Sequence, residues 1–160
     1  MYDFSYNFTP VMITHIMGAE KSGVSGAAYS IRQGAIYDVQ FSPQVGSEMA
    51  FEHPAVVVSH TRANGGRTVV VVPLTTHVET KRPGLVKLGL EVVIDWYREP
   101  DRNPGKRSRA VCTQIATIDR ARLVNPHPLV VLPAAEFQKV IAGIQRMLGV
   151  LPLLRPEEVR

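Results

Sequence analysis

The chain has little of several features that would settle its class at once. One of its 160 residues is a cysteine, Cys112, so an internal disulfide is excluded and no oxidising compartment is required. No stretch approaches the roughly 18 uninterrupted apolar residues that a membrane span needs. Residues 1–30 lack the basic start and continuous apolar segment of a signal peptide. These absences favour a cytoplasmic protein without a membrane partner.

Patterns for metals and cofactors are lacking as well. No spacing of histidine, cysteine and carboxylate residues suggests a metal site, and no glycine-rich loop suggests a phosphate cradle. The one cysteine lies in the apolar run 109–119, which predicts a buried, inert thiol. We therefore expect no metal and no cofactor.

The composition is that of one folded domain with a modest excess of positive charge. The net charge of +4 favours a polyanionic partner such as nucleic acid, although many proteins with such an excess bind none. Residues 1–30 show no regular period and contain three glycines, which predicts an irregular arm ahead of a domain spanning residues 31–155.

Short strands dominate the predicted domain. Residues 35–41 alternate between apolar and polar, as in a strand with one buried face. Residues 54–59 and 68–72 are apolar on both faces and predict a central hairpin, in which Asn64-Gly65-Gly66 supplies the positive φ of the turn. Two further strands are predicted at 85–94 and 109–118, separated by a surface loop.

A helix closes the pattern. Apolar residues recur at three- and four-residue steps from Phe137 to Leu148, the stripe of an amphipathic helix. Several short strands followed by one helix predict a mainly β protein, a small and strongly bent antiparallel barrel with a C-terminal helix across one side.

Three segments, in this order and at these separations, resemble the MazF/PemK family of endoribonuclease toxins from type II toxin–antitoxin systems. Each is a strand joined to a short polar motif. They are residues 32–37 (RQGAIY) with Gly46-Ser47-Glu48 and residues 54–59 (PAVVVS), residues 71–76 (VVPLTT), and residues 114–119 (QIATID).

The resemblance implies both a fold and an activity. The fold is an SH3-like barrel of the CcdB/PemK type that forms a homodimer. The activity is metal-independent cleavage of single-stranded RNA or mRNA, which leaves a 2′,3′-cyclic phosphate and a free 5′-hydroxyl and inhibits translation and growth. A cognate antitoxin, similar to MazE or PemI, would block the RNA groove.

Such cleavage needs a base, an acid and charge-stabilising donors around one phosphate. In the family, an arginine before the proline of the second strand serves the phosphate together with the threonine that ends the third. Thr75 matches the threonine, but His53 occupies the arginine position. His53 is either a general acid or base, a sign that the charge clamp is lost, or a loop residue capping the strand. Glu48 either orients a base, holds its loop, or is simply exposed.

Further residues are predicted to bind the substrate around this catalytic set. The resemblance contributes the loop serine and the glutamine that leads the third motif, and the strand end contributes a hydroxyl and an imidazole that can contact phosphate or base. A loop that mixes aromatic and cationic side chains contributes an arginine. These residues are Ser47, Gln114, Thr76, His77 and Arg98.

Two alternatives stay open. Thr113 and Ala116 replace an acidic residue and an arginine that the family often carries, which fits a catalytically weakened relative that binds RNA or antitoxin. A CcdB-like gyrase poison would share the barrel without any nuclease site. The nuclease hypothesis requires the loop before Pro54 and the end of the segment 69–76 to meet, with room for a phosphodiester.

Overall fold

The structure, a computed structural model, describes residues 30–76, 83–96 and 107–155. Its strands are β1 (Ala35–Gln40), β2 (Glu52–Val57), β3 (Thr68–Thr75), β4 (Val92–Ile94), β5 (Ser108–Ala110), β6 (Ala116–Asp119) and β7 (Val130–Val131). Its helices are α1 (Pro83–Lys87) and α2 (Ala134–Met147), and short 3-10 turns cover Ala63–Gly65, Cys112–Gln114 and Arg120–Arg122.

The strands form an antiparallel sheet that curls into a barrel. β3 is central: β2 pairs along one edge, while β6 and β5 pair with successive parts of the other edge. β1 lies between β2 and β7, and a bridge from Val39 to Leu123 joins the segment after β6 back to β1. The predicted antiparallel barrel with a C-terminal helix is confirmed.

Two apolar clusters lie on opposite faces of this sheet. Residues at alternate positions of β1, β2 and β3, among them Tyr37, Ala55 and Val71, fill the barrel interior. Their sequence neighbours, such as Ile36 and Val56, pack with the α2 residues Val140 and Ile144. β2 and β3 are thus buried on both faces, as predicted.

β1 differs from its predicted amphipathic form. Both of its faces are covered, because Ile36 packs beneath α2 and the carboxylate-bearing Asp38 is itself buried. The prediction of a single buried face was therefore wrong. The alternation shows which side chains of β1 are polar, but it does not show that α2 packs on the second face of the strand.

The β2–β3 hairpin exists, but its turn was predicted wrongly. The chain reverses through the 3-10 turn Ala63–Gly65, and Gly66 has a φ of −81° rather than a positive value. The buried Asn64 amide holds the turn by donating to the Ile31 carbonyl at 2.9 Å. A side-chain hydrogen bond, rather than a glycine with positive φ, thus stabilises the turn.

The two later strand predictions were too long. Residues 83–87 are helical and only Val92–Ile94 is strand, while segment 109–118 is divided by the turn Cys112–Gln114. The register of β6 on β3 is offset by three residues from that of β5, and this three-residue turn absorbs the offset. One apolar run can therefore pair with two parts of β3.

The predicted helix is confirmed as α2, and its packing explains the buried thiol. Cys112 is fully buried, as predicted, against the backbone of α2. A Cβ on Gly143 would lie 2.7 Å from both the Cys112 sulfur and Val92 Cγ2, so the helix can approach this closely only where it carries glycine. The predicted arm, except for Ser30, lies outside the described residues.

Candidate active site

Four strand ends meet at one end of the barrel because neighbouring strands run antiparallel. They are the carboxyl ends of β1 and β3 and the amino ends of β2 and β6. Residues 41–51, called the β1–β2 loop below, connect two of these ends. All three segments singled out from the sequence contribute residues to this end.

A cavity of about 680 Å³ opens between the β1–β2 loop and the start of β6. Three of the predicted site residues line it: Ser47, Glu48 and Gln114. The remaining walls come from both elements, namely Phe41, Pro43, Val45, Met49, Thr113, Ile115, Ala116, Thr117, Ile118, Asp119 and Arg122. Its size suits one or two nucleotides rather than a duplex.

Hydrogen bonds set the shape of the loop beside the cavity. The Glu48 carboxylate accepts from the Val45 N–H at 3.0 Å, and the Gln114 amide donates to the Ser47 carbonyl oxygen at 3.1 Å. Gly46 adopts a φ of +61°, which glycine reaches without strain. Glu48 therefore closes its own loop, and Gln114 joins that loop to the turn before β6.

Arg122 anchors the other side of the loop, and sequence reasoning missed it. Its Nη1 lies 3.1 Å from the Gln40 carbonyl oxygen and 3.0 Å from those of Phe41 and Ser42. No local signal marks this residue, because its three acceptors are about 80 positions away in the sequence. It fixes the point where β1 passes into the loop.

His53 and Thr75 lie on adjacent strands and on one face. Val39 pairs with His53, and Ala55 pairs with Pro73. The β2–β3 pairing ends at Ala55 and Pro73, and the same register continued by two residues would set His53 opposite Thr75. Residues directly opposite in an antiparallel pair project to the same face. That face is the one that Ala55 and Val71 occupy inside the barrel.

The row continues onto β5, where Thr75 pairs with Arg109. The Arg109 Nε lies 2.8 Å from a Glu91 carboxylate oxygen, and both side chains are nearly buried. A guanidinium thus lies across Thr75 from the histidine that replaces the family arginine. Neither His53 nor Thr75 belongs to the cavity lining.

The charges in the cavity wall do not match a phosphate. Among its lining residues, Glu48 and Asp119 are acidic and Arg122 is the one cation, already engaged with three carbonyl groups. Polyanions are held by an excess of donors and positive charge. The cavity is therefore better suited to a base than to a phosphate.

Three other residues were predicted to bind the substrate. Thr76 is exposed just beyond β3, whereas His77 and Arg98 lie outside the described residues. Within the described ranges, no group of three or more His, Cys, Asp or Glu residues is arranged to hold a metal ion. None of the helices described there is long and apolar enough to cross a membrane.

Comparison with known proteins agrees with this architecture. The profile of the PemK-like, MazF-like toxins of type II toxin–antitoxin systems matches residues 32–148, and the chain belongs to this family. Endoribonuclease MazF9 from Mycobacterium tuberculosis is 35% identical over 107 residues, which cover 60% of this chain and 79% of the relative.

Solved structures share the fold at lower identity. MazF from Deinococcus radiodurans superposes with a TM-score of 0.58 at 22% identity, covering 76% of this chain and 98% of that one. A mycobacterial endoribonuclease in complex with its cognate antitoxin gives a TM-score of 0.54 at 19% identity, covering 76% and 97%. The fold predicted from the three motifs is therefore the fold of these toxins.

Proposed function

We propose that the protein is the toxin of a toxin–antitoxin pair and cleaves single-stranded RNA at the end of the barrel described above. The observation that carries the proposal is the β2–β3 register, because its continuation by two residues would set His53 opposite Thr75, at the end of the barrel whose β1–β2 loop lines a cavity of nucleotide size. Family membership and the name of the mycobacterial relative support the reaction class.

The reaction needs no group beyond side chains of these types. The 2′-hydroxyl oxygen attacks the adjacent phosphorus while a base removes its proton, and the 5′-oxygen leaves with a proton from an acid. A 2′,3′-cyclic phosphate and a 5′-hydroxyl result. His53 is suited to carry one of the two proton transfers, since histidine is the side chain most often used as a general acid or base. The Thr75 hydroxyl is suited to donate to a non-bridging oxygen.

The loop contacts of Glu48 and Gln114 then have a functional role. Glu48 closes the β1–β2 loop on itself and Gln114 holds that loop against the turn before β6, so the cavity is formed before the substrate arrives. Pre-organisation of this kind lowers the entropic cost of binding. We assign Glu48 and Gln114 to positioning rather than to proton transfer. The cavity would take a base next to the cleaved bond.

Partners and location follow from the same proposal. A cognate antitoxin would inhibit by covering the cavity, as one relative has been solved with its cognate antitoxin. The toxin would act as a homodimer in the cytoplasm, where mRNA is available. Size-exclusion chromatography with light scattering, with and without the antitoxin, tests both assemblies.

A cleavage assay tests the activity. Purified protein is mixed with a long single-stranded RNA in excess chelator, and discrete fragments ending in cyclic phosphate are expected. Thr75→Ala should lower the cleavage rate on the order of a hundredfold, the effect of losing one donor to a developing charge. The exposed Val150→Ala serves as the matched control. Fragments that persist unchanged with Thr75→Ala would refute the site.

Substitutions at position 53 distinguish two interpretations of His53, as a proton-transfer group or as the mark of a weakened site. If His53 transfers a proton, both His53→Ala and His53→Arg lower the rate, and the pH–rate profile loses the limb that His53 contributes. If the site is weakened because it lacks the arginine charge that holds the phosphate, His53→Arg raises the rate. Thr113 and Ala116, at positions where the family often has charged residues, are the observation in favour of the weakened form.

The gyrase-poison alternative has less support. The matching family is that of PemK-like, MazF-like toxins, and the curated relative is named as an endoribonuclease. A supercoiling assay with purified gyrase is expected to show no inhibition at protein concentrations that cleave RNA completely.

A further inference from the structure

Phe51 combines two features that a bulky apolar residue usually avoids. Its backbone φ is +59°, in the left-handed region that favours glycine, and 75% of the residue is exposed to solvent. Among the large apolar residues exposed in the described part of the chain, it is the one aromatic. Both features oppose stability, and unfavourable backbone geometry tends to occur at functional sites.

The backbone of Phe51 is held firmly in this conformation. Its N–H donates to Ser42 Oγ at 2.9 Å, and its carbonyl oxygen accepts from the Phe41 N–H at 2.8 Å. Phe41 and Phe51 thus close the two ends of the β1–β2 loop against each other. The strained geometry is therefore fixed by its surroundings.

The two phenylalanines have opposite environments although they lie across from each other. Phe41 is buried in the barrel cluster and lines the cavity, whereas Phe51 is exposed to water. An extended residue opposite Phe41 would share its face, and the left-handed backbone of Phe51 departs from that geometry. His53 follows two residues later on β2. Phe51 thus lies two residues from His53 along the chain and across the loop ends from Phe41, which lines the cavity.

We propose that Phe51 is a stacking platform for a nucleobase of the RNA, next to the phosphodiester that is cleaved; this inference rests on the proposed function. Unpaired bases stack on exposed aromatic rings, and proteins that bind single strands use such platforms widely. A ring on a fixed backbone loses little conformational freedom when a base covers it. The platform would set which nucleotide occupies the position beside the cleaved bond.

Four variants of the full-length protein test the proposal. Phe51→Leu keeps apolar bulk without an aromatic face, and Phe51→Trp keeps the face. Phe51→Gly removes the ring and also relieves the positive φ, so it folds at least as stably as the wild type. Val150→Ala removes a similarly exposed apolar side chain beyond α2 and is the control.

Binding is measured with 2′-O-methyl RNA oligonucleotides that span a site cut by the wild type, because the blocked hydroxyl prevents cleavage. We expect Phe51→Leu and Phe51→Gly to weaken binding on the order of tenfold, with Phe51→Trp within about twofold. An abasic substitution at one position should weaken binding to the wild type but not to Phe51→Leu. This loss of coupling is specific to stacking.

Other outcomes overturn the proposal in distinguishable ways. If the wild type cuts RNA and Phe51→Leu binds it equally well, the platform is wrong and the proposed function stands. A drop in dimer mass on sedimentation, or loss of antitoxin binding with RNA binding intact, would make Phe51 a protein contact. If the wild type neither binds nor cuts RNA, the proposed function fails first, and the platform fails with it.

Discussion

Arg109 and Glu91 form an ion pair 2.8 Å long in which the two side chains are 10% and 6% exposed. Val93, two residues after Glu91, pairs with Arg109 across β4 and β5, so Glu91 and Arg109 are diagonal neighbours on one face. Arg109 is also the cross-strand partner of Thr75. Two nearly buried charges thus lie beside the proposed phosphate site.

Removing one charge of this pair is expected to destabilise the protein strongly. Glu91→Gln leaves the guanidinium buried without its counter-charge, which costs about 3–5 kcal/mol of unfolding free energy. The double variant Glu91→Leu with Arg109→Met should lose much less, because no uncompensated charge remains. Urea denaturation measures both.

The control for this experiment is a solvent-exposed pair in the same region. Arg107 and Asp95 lie 3.0 Å apart with side chains 58% and 67% exposed. Asp95→Asn should therefore change stability by no more than about 1 kcal/mol. Equal losses for Glu91→Gln and Asp95→Asn would show that burial does not govern the Arg109 pair.

Gly143 is expected to be required for close packing of α2. In Gly143→Ala, the added Cβ would meet the Cys112 sulfur and Val92 Cγ2 at 2.7 Å. Overpacking should cost about 1–3 kcal/mol, more than the roughly 1 kcal/mol that alanine adds to helix stability. Adding Cys112→Ala removes the contact with sulfur but not the one with Val92, and should recover part of the loss in thermal denaturation. Independent, additive effects would contradict the contact.

The buried thiol predicts a specific pH dependence. Burial, reinforced by the negative charge of Glu91, raises the pKa of Cys112 from 9.0 to about 12. The unfolded thiol ionises first as pH rises, so its contribution to stability is complete below about pH 9 and is lost between about pH 9 and 12.

Comparison with Cys112→Ala isolates that contribution from other groups that titrate at high pH. The wild type should lose stability more steeply than the variant above pH 9. Native Cys112 should also resist alkylation by iodoacetamide at pH 8, since the reactive thiolate is disfavoured and the sulfur is buried. Rapid labelling without unfolding would contradict the burial.

Arg122 is expected to affect catalysis more than stability. Lysine retains the charge of Arg122 but not the planar donor group that reaches three carbonyl oxygens at the end of β1. Arg122→Lys should loosen the β1–β2 loop and lower kcat/KM for RNA on the order of tenfold. The expected loss of unfolding free energy is about 1 kcal/mol.

The exposed Arg67 is the matched control for Arg122. It lies 3.6 Å from an Asp119 carboxylate oxygen and its side chain is 92% exposed. Arg67→Lys should leave kcat/KM and stability unchanged within error. If both lysine variants behave alike, Arg122 does not position the loop.

Sequence patterns predicted those features that depend on local polarity. The stripe from Phe137 to Leu148 predicted α2, and the β-branched runs at 54–59 and 68–72 predicted the central hairpin, because burial selects side chains residue by residue. The same logic failed at 109–118, where an apolar run is two strands and a turn. Both parts are apolar, so polarity alone does not reveal the register shift between them.

The residues of the candidate site could likewise be predicted only in part from the sequence. Matching motifs singled out Glu48, Thr75 and Gln114 but gave no sign of Arg109, Arg122 or Phe51. Arg109 reaches the row through pairing with β3, and Arg122 acts on residues about 80 positions away. The signal for Phe51 is its backbone angle, which no side-chain pattern encodes.

By itself, the sequence determined the class of this protein: an antiparallel barrel with a closing helix and the three motifs of a toxin family. Only the tertiary structure decided which distant side chains become neighbours, pairing Thr75 with Arg109 and leaving Phe51 exposed on a strained backbone. The physical reason is that composition and periodicity act on neighbours in the chain. A site is built from strand register and long-range hydrogen bonds, which exist only once the chain has folded.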